Sequence, residues 1–466
     1  MLIYFSAENF RSINDAVELN LKAAPRLRRL KSHVRTPIPN NEKLKVLKGS
    51  IIYGANASGK SNIIKAIDYA KRLITGKTEL TYCPKLRNSY FALNGNTSNE
   101  RSFTFEFTFN KRSYAYFFKT KDEKILEEEL VLINGQKEII IFYRNENSGK
   151  EKFNSEFIES GYLGNISNKE SIAATVAELN FLYKYTPKNT LFLAEASEKF
   201  LESFNNKDLR PDNPIDIFFL QLINAFYFFK TSLITIFPET KYSGSLPEIR
   251  SGNGRYFDLI TKLDTGITDL TEVDVPLSDF SSDLLNDIEE QIKSESDPFT
   301  FKYEGVEHLA EFDQDKNQIK ITKLATIHNG GVQFEVVDES DGTQRLLDLI
   351  PALHNGSESK VESLLDFTYI IDEFDRSLHP IISYSYIENF LNQNNNDQII
   401  ATTHEAELLN NELLRRDEVW FTQKENDGST KLYSLNDYTT RHDKDIHKAY
   451  LDGVFGGIPN IVRKFK

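Results

Sequence analysis

Four phenylalanines, Phe103, Phe105, Phe107 and Phe109, alternate with polar residues, and this period of two predicts a half-buried strand. Asn110 to Ser113 reads as a turn and Tyr114 to Lys119 as the returning strand, which makes a hairpin. Strand-like runs at Ile125 to Ile133 and Glu138 to Tyr143 extend it to an antiparallel sheet over roughly residues 90 to 145. Nearer the start, short apolar strands lead to Gly49-Ser50-Ile51-Ile52-Tyr53, which enters a glycine-bounded turn. Ile63, Ile64, Ala66, Ile67 and Ala70 then recur at helical spacing and predict a helix through about Ile74.

Between about 165 and 300 the pattern becomes helical, broken by Pro187, Pro211, Pro214, Pro238 and Pro247, and predicts a mostly helical insertion. Its most apolar stretch, Ile215 to Phe237, is interrupted by Asp216, Gln221, Asn224 and Lys230 and reads as a buried helix, not a bilayer span. Strand signals resume at Phe299 to Tyr303, Gln318 to Leu324 and Val332 to Val337, and after Gly342 the order is helix, buried strand, helix. A chain of 466 residues exceeds the ~250–300 that one core organises, so two lobes are expected. The expected division is 1–160, 161–300 and 301–466, the middle segment being the insertion.

Composition changes this picture in three ways. With 39% hydrophobic and 12% aromatic residues the chain is globular and not disordered. A formal net charge of −13 argues against coating nucleic acid over the whole surface, while leaving room for a local basic groove. A single cysteine, Cys83, excludes an internal disulfide framework and a cysteine-only zinc site, and reads as inert. Glu8, Arg11, Asp15 and Glu18 interrupt the first twenty residues, so no secretion signal is expected there and the location expected is cytoplasmic.

The strongest chemical signal is Gly54-Ala55-Asn56-Ala57-Ser58-Gly59-Lys60-Ser61, a GxxxxGK[ST] P-loop lying between a predicted strand and a predicted helix. Glycines let backbone N–H groups curl around phosphates, and the helix N-terminus adds partial positive charge. Lys60 would reach the β and γ phosphates of ATP and Ser61 would hold Mg2+. Tyr369-Ile370-Ile371-Asp372-Glu373, an apolar strand ending in two acids, reads as a Walker B segment. There Asp372 would orient the metal and Glu373 would poise the attacking water. Ile399 to Thr403 is another buried strand, and His404 at its exit could hydrogen-bond the γ-phosphate and sense its presence.

Asn9-Phe10-Arg11-Ser12, the P-loop, Glu339-Ser340-Asp341-Gly342-Thr343, Asp372-Glu373, His404 and the closing run Tyr450 to Pro459 occur in the order of one family. End to end, the chain resembles the AAA-15/AAA-21 group of ABC-type ATPases, relatives of RecF, SMC proteins and the OLD-type defence ATPases. The resemblance implies an α/β fold, an ABC-type P-loop ATPase head with an antiparallel β subdomain and a mostly helical insertion. The segments 1–160 and 301–466 would be the two halves of the head. It also implies that Asn9, Arg11 and Ser12 lie near the nucleotide with Gly54 to Asn62, and that Ser340 and Gly342 form a signature loop capping the γ-phosphate of a partner subunit. A homodimer or higher homo-oligomer follows, with Ser377-Leu378-His379-Pro380 resembling the loop that couples the two sites. The signature reads Ser-Asp-Gly-Thr where transporters have Ser-Gly-Gly-Gln. Within the group, such ATPases accompany a separate effector, commonly a nuclease or toxin, in bacterial anti-phage defence. A RecF- or SMC-like ATPase clamping DNA for repair is the alternative.

Lys22, Arg26, Arg28, Arg29, Lys31 and Arg35 form a run without an acid from Lys22 through Thr36, which could grip nucleic-acid phosphates or serve as a solvated loop or protein contact. Arg441, His442, Asp443, Asp445 and His447 invite a metal-site reading, but the resemblance makes them a polar lead into the closing segment. No Toprim-like acidic set and no HNH-like Cys/His set is recognisable.

Overall fold

A computed structural model describes residues 1–76, 89–145, 157, 169–204, 214–240, 260–295, 298–353, 365–438 and 445–458, except 40, 94–97, 123, 262, 305 and 314–317. Cys83 and Arg441 to Asp443 lie outside the described residues. The chain forms two compact units, one of Met1–Ile236, Leu365–Phe374 and Leu391–Lys466, the other of Phe237–Leu364 and Asp375–Phe390.

At the centre of the first unit is a six-stranded sheet in the order Leu233–Ile236, Thr368–Ile371, Gln398–Thr402, Gly49–Gly54, Val419–Lys424, Thr430–Ser434. The first five strands are parallel and the last is antiparallel to its neighbour. Buried parallel strands require continuous apolar runs, and Ile51, Ile52, Ile370, Ile371, Ile399 and Ile400 are at most 1% exposed. Ile371, Ala401 and Ile51 stand in register, so the Walker B strand, the His404 strand and the P-loop strand end at one edge. Ligands of parallel α/β sheets collect outside that carboxyl edge.

A second six-stranded sheet is an antiparallel meander ordered Val17–Asn20, Leu2–Glu8, Glu100–Phe109, Arg112–Lys121, Lys124–Asn134, Lys137–Asn145. The predicted hairpin is present, and Asn110 and Lys111 take φ of 48° and 60°, the left-handed pair that a two-residue hairpin turn demands. Phe103 meets Tyr69 of the helix Lys60–Ile74 at 5.6 Å between ring centroids, joining that helix to this sheet. The helix buries the expected face, Ile63, Ile64, Ala66, Ile67 and Ala70, at about 1.5–3 kcal/mol for each large aliphatic chain.

Three helices, Lys169–Tyr185, Phe192–Phe204 and Pro214–Tyr227, also belong to this unit. Glu128, buried in the meander, accepts from the amides of Phe192 and Leu193 and from the Tyr116 hydroxyl, which anchors the second helix by its N-terminus. Burial raises the pKa of that carboxyl.

The apolar stretch Ile215 to Phe237 is not a single helix, contrary to expectation. Past Tyr227 it passes through a π-helical turn, Phe228–Ser232, into the strand Leu233–Ile236. Phe228 stacks on Phe107 at 4.2 Å and Phe229 sits edge-on to Phe105. β-branched Ile234, Thr235 and Ile236 favour the pleated partner that Thr368–Ile371 offers.

Unit two contains an antiparallel sheet ordered Ile267–Asp274, Gln318–His328, Val306–Asp313, Phe299–Tyr303, with Val332–Glu335 added to Gln318–His328. Two apolar clusters support it, one around Ile260, Leu270 and Leu347, the other around Phe280, Ile288 and Ile321. The helices Ser282–Glu295 and Asp341–Leu353 lie in this unit, and most of Pro380–Asn392 does too. The unit boundaries fall at 236/237, 364/365, 374/375 and 390/391, not at 160/161 and 300/301. Sheet membership sets them: Leu233–Ile236 pairs with the Walker B strand, whereas Ile267–Asp274 pairs with Gln318–His328. Among the described residues no helix is long and apolar enough to cross a membrane.

Candidate nucleotide site

The P-loop leaves the buried strand Gly49–Gly54 and ends where the helix Lys60–Ile74 begins. Ala57 and Gly59 take left-handed φ of 61° and 106°, curling the chain back on itself. Gly59 is also the helix N-cap, and a Cβ there would lie 1.9 Å from Thr430 Oγ1, so only glycine fits. No acidic residue occupies the first helical turn, which leaves its N-terminal positive end unneutralised. Lys60 is 5% exposed and its ammonium donates to the carbonyls of Gly54 (2.7 Å) and Ala55 (3.3 Å). Left-handed turns at the head of a helix, with a cation folded back across them, suit a polyphosphate.

Hydroxyl braces from distant segments hold the loop. Ser58 Oγ pairs with Thr422 Oγ1 at 2.6 Å, and Thr430 donates to Ser58 O at 3.1 Å while pairing with Ser12 Oγ at 2.7 Å. Asn62 Nδ2 donates to Ser12 Oγ at 2.6 Å. Thus Ser12 and Asn62 are brought together beside the loop. Asn9, 5% exposed, donates to the carbonyls of Ser98 and Glu100 and accepts from Phe91 N–H, so it clips the turn that carries Arg11 and Ser12. The Arg11 amide donates to Ser89 O, and its guanidinium lies 5.9 Å from the centre of the Phe10 ring.

At the same sheet edge Thr402 links the Walker B acids: its hydroxyl donates to Asp372 Oδ1 at 2.6 Å and accepts from Glu373 N–H at 2.8 Å. Asp372 is 3% exposed, and Glu373 adopts a left-handed φ of 46°. Hard divalent cations take oxygen ligands, and a buried carboxylate at the end of the strand with the Ser61 hydroxyl after the P-loop lysine fits Mg2+. Exposed His404 lines a cleft of about 880 Å³ together with Gly54, Ala55 and Asn56. Thr402, Thr422 and Thr430 went unnoticed in the sequence. Thr402 and Thr403 precede His404 in its motif, but nothing in spacing singles out the other two.

Ser340 and Gly342 belong to the second unit. Ser340 Oγ accepts from Thr343 N–H at 3.2 Å and caps the helix Asp341–Leu353. A Cβ on Gly342 would come within 2.6 Å of Ser377 O, which brings the signature loop against the coupling loop. Glu339 is clamped beside it: His328 Nε2 lies 2.7 Å from its Oε1, and the Thr326 hydroxyl donates to the same oxygen.

Of the basic run, Arg26, Arg28, Arg29 and Lys31 are exposed, while Lys22 pairs with Glu106 at 2.7 Å and Arg35 donates to Gln393 O and Asn395 O. The segment is fastened from below. Arg415 donates to Leu27 O and Arg29 O, Asp417 accepts from Ala24 N–H, and His33 meets the fully buried Glu418 at 3.0 Å. Among the described residues no group of three or more His, Cys, Asp or Glu is arranged to hold a metal ion.

The chain is similar to several SMC heads of known structure. An SMC head bound to the C-winged helix domain of ScpA is 13% identical with a TM-score of 0.41, over 93% of this chain and 97% of that one. The SMC head domain from Thermotoga maritima is 12% identical with a TM-score of 0.36, over 93% and 98%. An SMC head with an extended coiled coil, bound to the C-terminal domain of ScpA derived from Pyrococcus furiosus, is 13% identical with a TM-score of 0.39, over 97% and 99%. No curated protein matches the chain significantly. The model of the AAA_21 family, described as "AAA domain, putative AbiEii toxin, Type IV TA system", matches residues 50–410, from the P-loop strand to just past His404. A match over that span, with the P-loop, the two acids and the histidine at one sheet edge, makes this chain a member of the AAA_21 family of AAA-domain proteins.

Proposed function

We propose that the chain binds and hydrolyses ATP with Mg2+, and that ATP draws two copies together head to head. Their pairing would regulate a separate effector, a nuclease or toxin, in bacterial anti-phage defence. The observation that carries the catalytic part is the convergence of Lys60, Asp372, Glu373 and His404 at the carboxyl edge of one parallel sheet. The description of the family as a toxin of a type IV TA system supports an effector-linked role.

Lys60 leaves the carbonyls of Gly54 and Ala55 for the β and γ phosphates, while the loop amides hold the remaining phosphate oxygens. Ser61 and Asp372 would hold Mg2+, which when bound would supply positive charge beside the phosphates. Glu373 orients water for in-line attack and takes its proton, its backbone held by Thr402. His404 hydrogen-bonds the γ-phosphate. Ser340 and Gly342, offered at a helix N-terminus, meet the γ-phosphate of a partner copy, so that the triphosphate favours the paired state and its loss favours separation.

The test is Glu373→Gln followed by light scattering with ATP or ADP. Turnover should fall by about 10²-fold or more while ATP binding persists and the mass doubles only with ATP. A variant that holds ATP yet stays at the mass of one chain would remove the pairing. Unchanged hydrolysis would remove Glu373 from the chemistry.

A second reading, a DNA clamp, draws on exposed Arg26, Arg28, Arg29 and Lys31, in a segment fastened by hydrogen bonds from Arg415 and by a buried one between His33 and Glu418. ATP-dependent, salt-sensitive binding to duplex DNA that disappears on reversing the charge of the three arginines would favour it.

A further inference from the structure

Part of the lining of the cleft at the mouth of the P-loop lies outside the span matched by the family model. Gly54, Ala55, Asn56 and His404 line it together with Lys424 and the segment Tyr450 to Ile458. This segment is fixed against the P-loop strand. Tyr450 stacks on Phe421 (5.5 Å, 19°) and meets Tyr53, the residue before Gly54, at 6.0 Å. Phe455 stacks on the other side of the cluster at 5.6 Å from Phe421, and its carbonyl accepts from the Tyr433 hydroxyl at 2.6 Å. The Tyr450 hydroxyl donates to Gly457 O at 3.3 Å. Gly457 has a φ of 67°, and a Cβ there would lie 3.7 Å from Gly54 Cα and 3.4 Å from Thr422 O. The backbone of the segment therefore runs alongside the first residue of the P-loop.

We infer that Lys424 and the segment Tyr450 to Ile458 are part of the nucleotide site, facing the terminal phosphate and setting the preference for a nucleoside triphosphate over a diphosphate. Lys60 sits on Gly54 O and Ala55 O, and a P-loop lysine serves the β and γ phosphates, so this end of the loop receives the end of the triphosphate chain. His404 looks into the same cleft. Exposed Lys424 supplies a second cation there, and Leu451, 58% exposed at the rim, makes part of the wall apolar. The inference rests on the ATP reading above.

Full-length Leu451→Glu, Leu451→Lys and Lys424→Gln chains, titrated with fluorescent ATP and ADP analogues, test it. One charge added or removed at this cleft should change affinity about two- to fivefold. Leu451→Glu and Lys424→Gln should weaken ATP more than ADP, Leu451→Lys should do the reverse, and high salt should erase each difference. Gly457→Val, which forces a branched side chain into a left-handed position beside Gly54, should weaken ATP at least about tenfold, with Gly457→Ala much closer to wild type. Unchanged ATP-to-ADP ratios in the Leu451 and Lys424 variants would overturn the assignment, even if Gly457→Val does not fold. Failure of the unaltered chain to bind either nucleotide would instead overturn the ATP reading.

Discussion

The P-loop region and the Ser340 loop are built differently. Around the P-loop, hydroxyls from Ser12, Thr422 and Thr430 converge, a buried lysine rests on carbonyls, and Gly59 touches its neighbour so closely that no side chain fits. The Ser340 loop makes its hydrogen bonds within its own unit: the serine caps its own helix, and Glu339 answers to His328 and Thr326. The first is braced into shape without a ligand. The second presents the N-terminus of its own helix, which the pairing proposed above would set against another copy.

That contrast breaks most visibly at Lys60. Lys60→Ala should abolish measurable nucleotide binding by the isolated chain, read by calorimetry, because the loop loses the cation that offsets the phosphate charge; retained affinity would mean the cradle is not the ligand site. Gly342→Ala is expected to act oppositely. Its Cβ would press on Ser377 O, so ATP binding by single chains should survive within about twofold, whereas ATP-dependent pairing and turnover fall at least about tenfold, as for a strained contact of 1–3 kcal/mol. Equal losses of binding and pairing would erase the distinction between the two regions. The smallest effect belongs to the clamp on Glu339. His328→Ala removes one partner of a part-buried carboxylate and should weaken pairing by the equivalent of about 1 kcal/mol, roughly fivefold, with nucleotide affinity unchanged. Restoration by His328→Gln would show that the hydrogen bond is what matters.

Much of the P-loop region was legible in the sequence. The P-loop and the Walker B acids are contiguous motifs whose chemistry dictates residue type at each position, and the Phe103 to Phe109 alternation reports one face of a sheet directly. The residues that hold the site in shape were not legible, because Thr422 and Thr430 act through contacts more than 360 positions away from the loop they brace. Local pattern also misread Leu233–Ile236 as the end of a helix: its apolar character suits either state, and only the Thr368–Ile371 partner decides. The division into units escaped for the same reason, since strand pairing and not composition sets it.

Thr430 grips Ser58 and Ser12 and stands against Gly59, and the P-loop strand itself lies between Gln398–Thr402 and Val419–Lys424. During synthesis at about 5–20 residues per second, the glycine turn leaves the ribosome long before the strands and the threonine that shape it. Until Thr430 has emerged, then, a nascent copy has the motif without the braces that shape it. On the ATP reading proposed above, such a copy would not yet hold nucleotide.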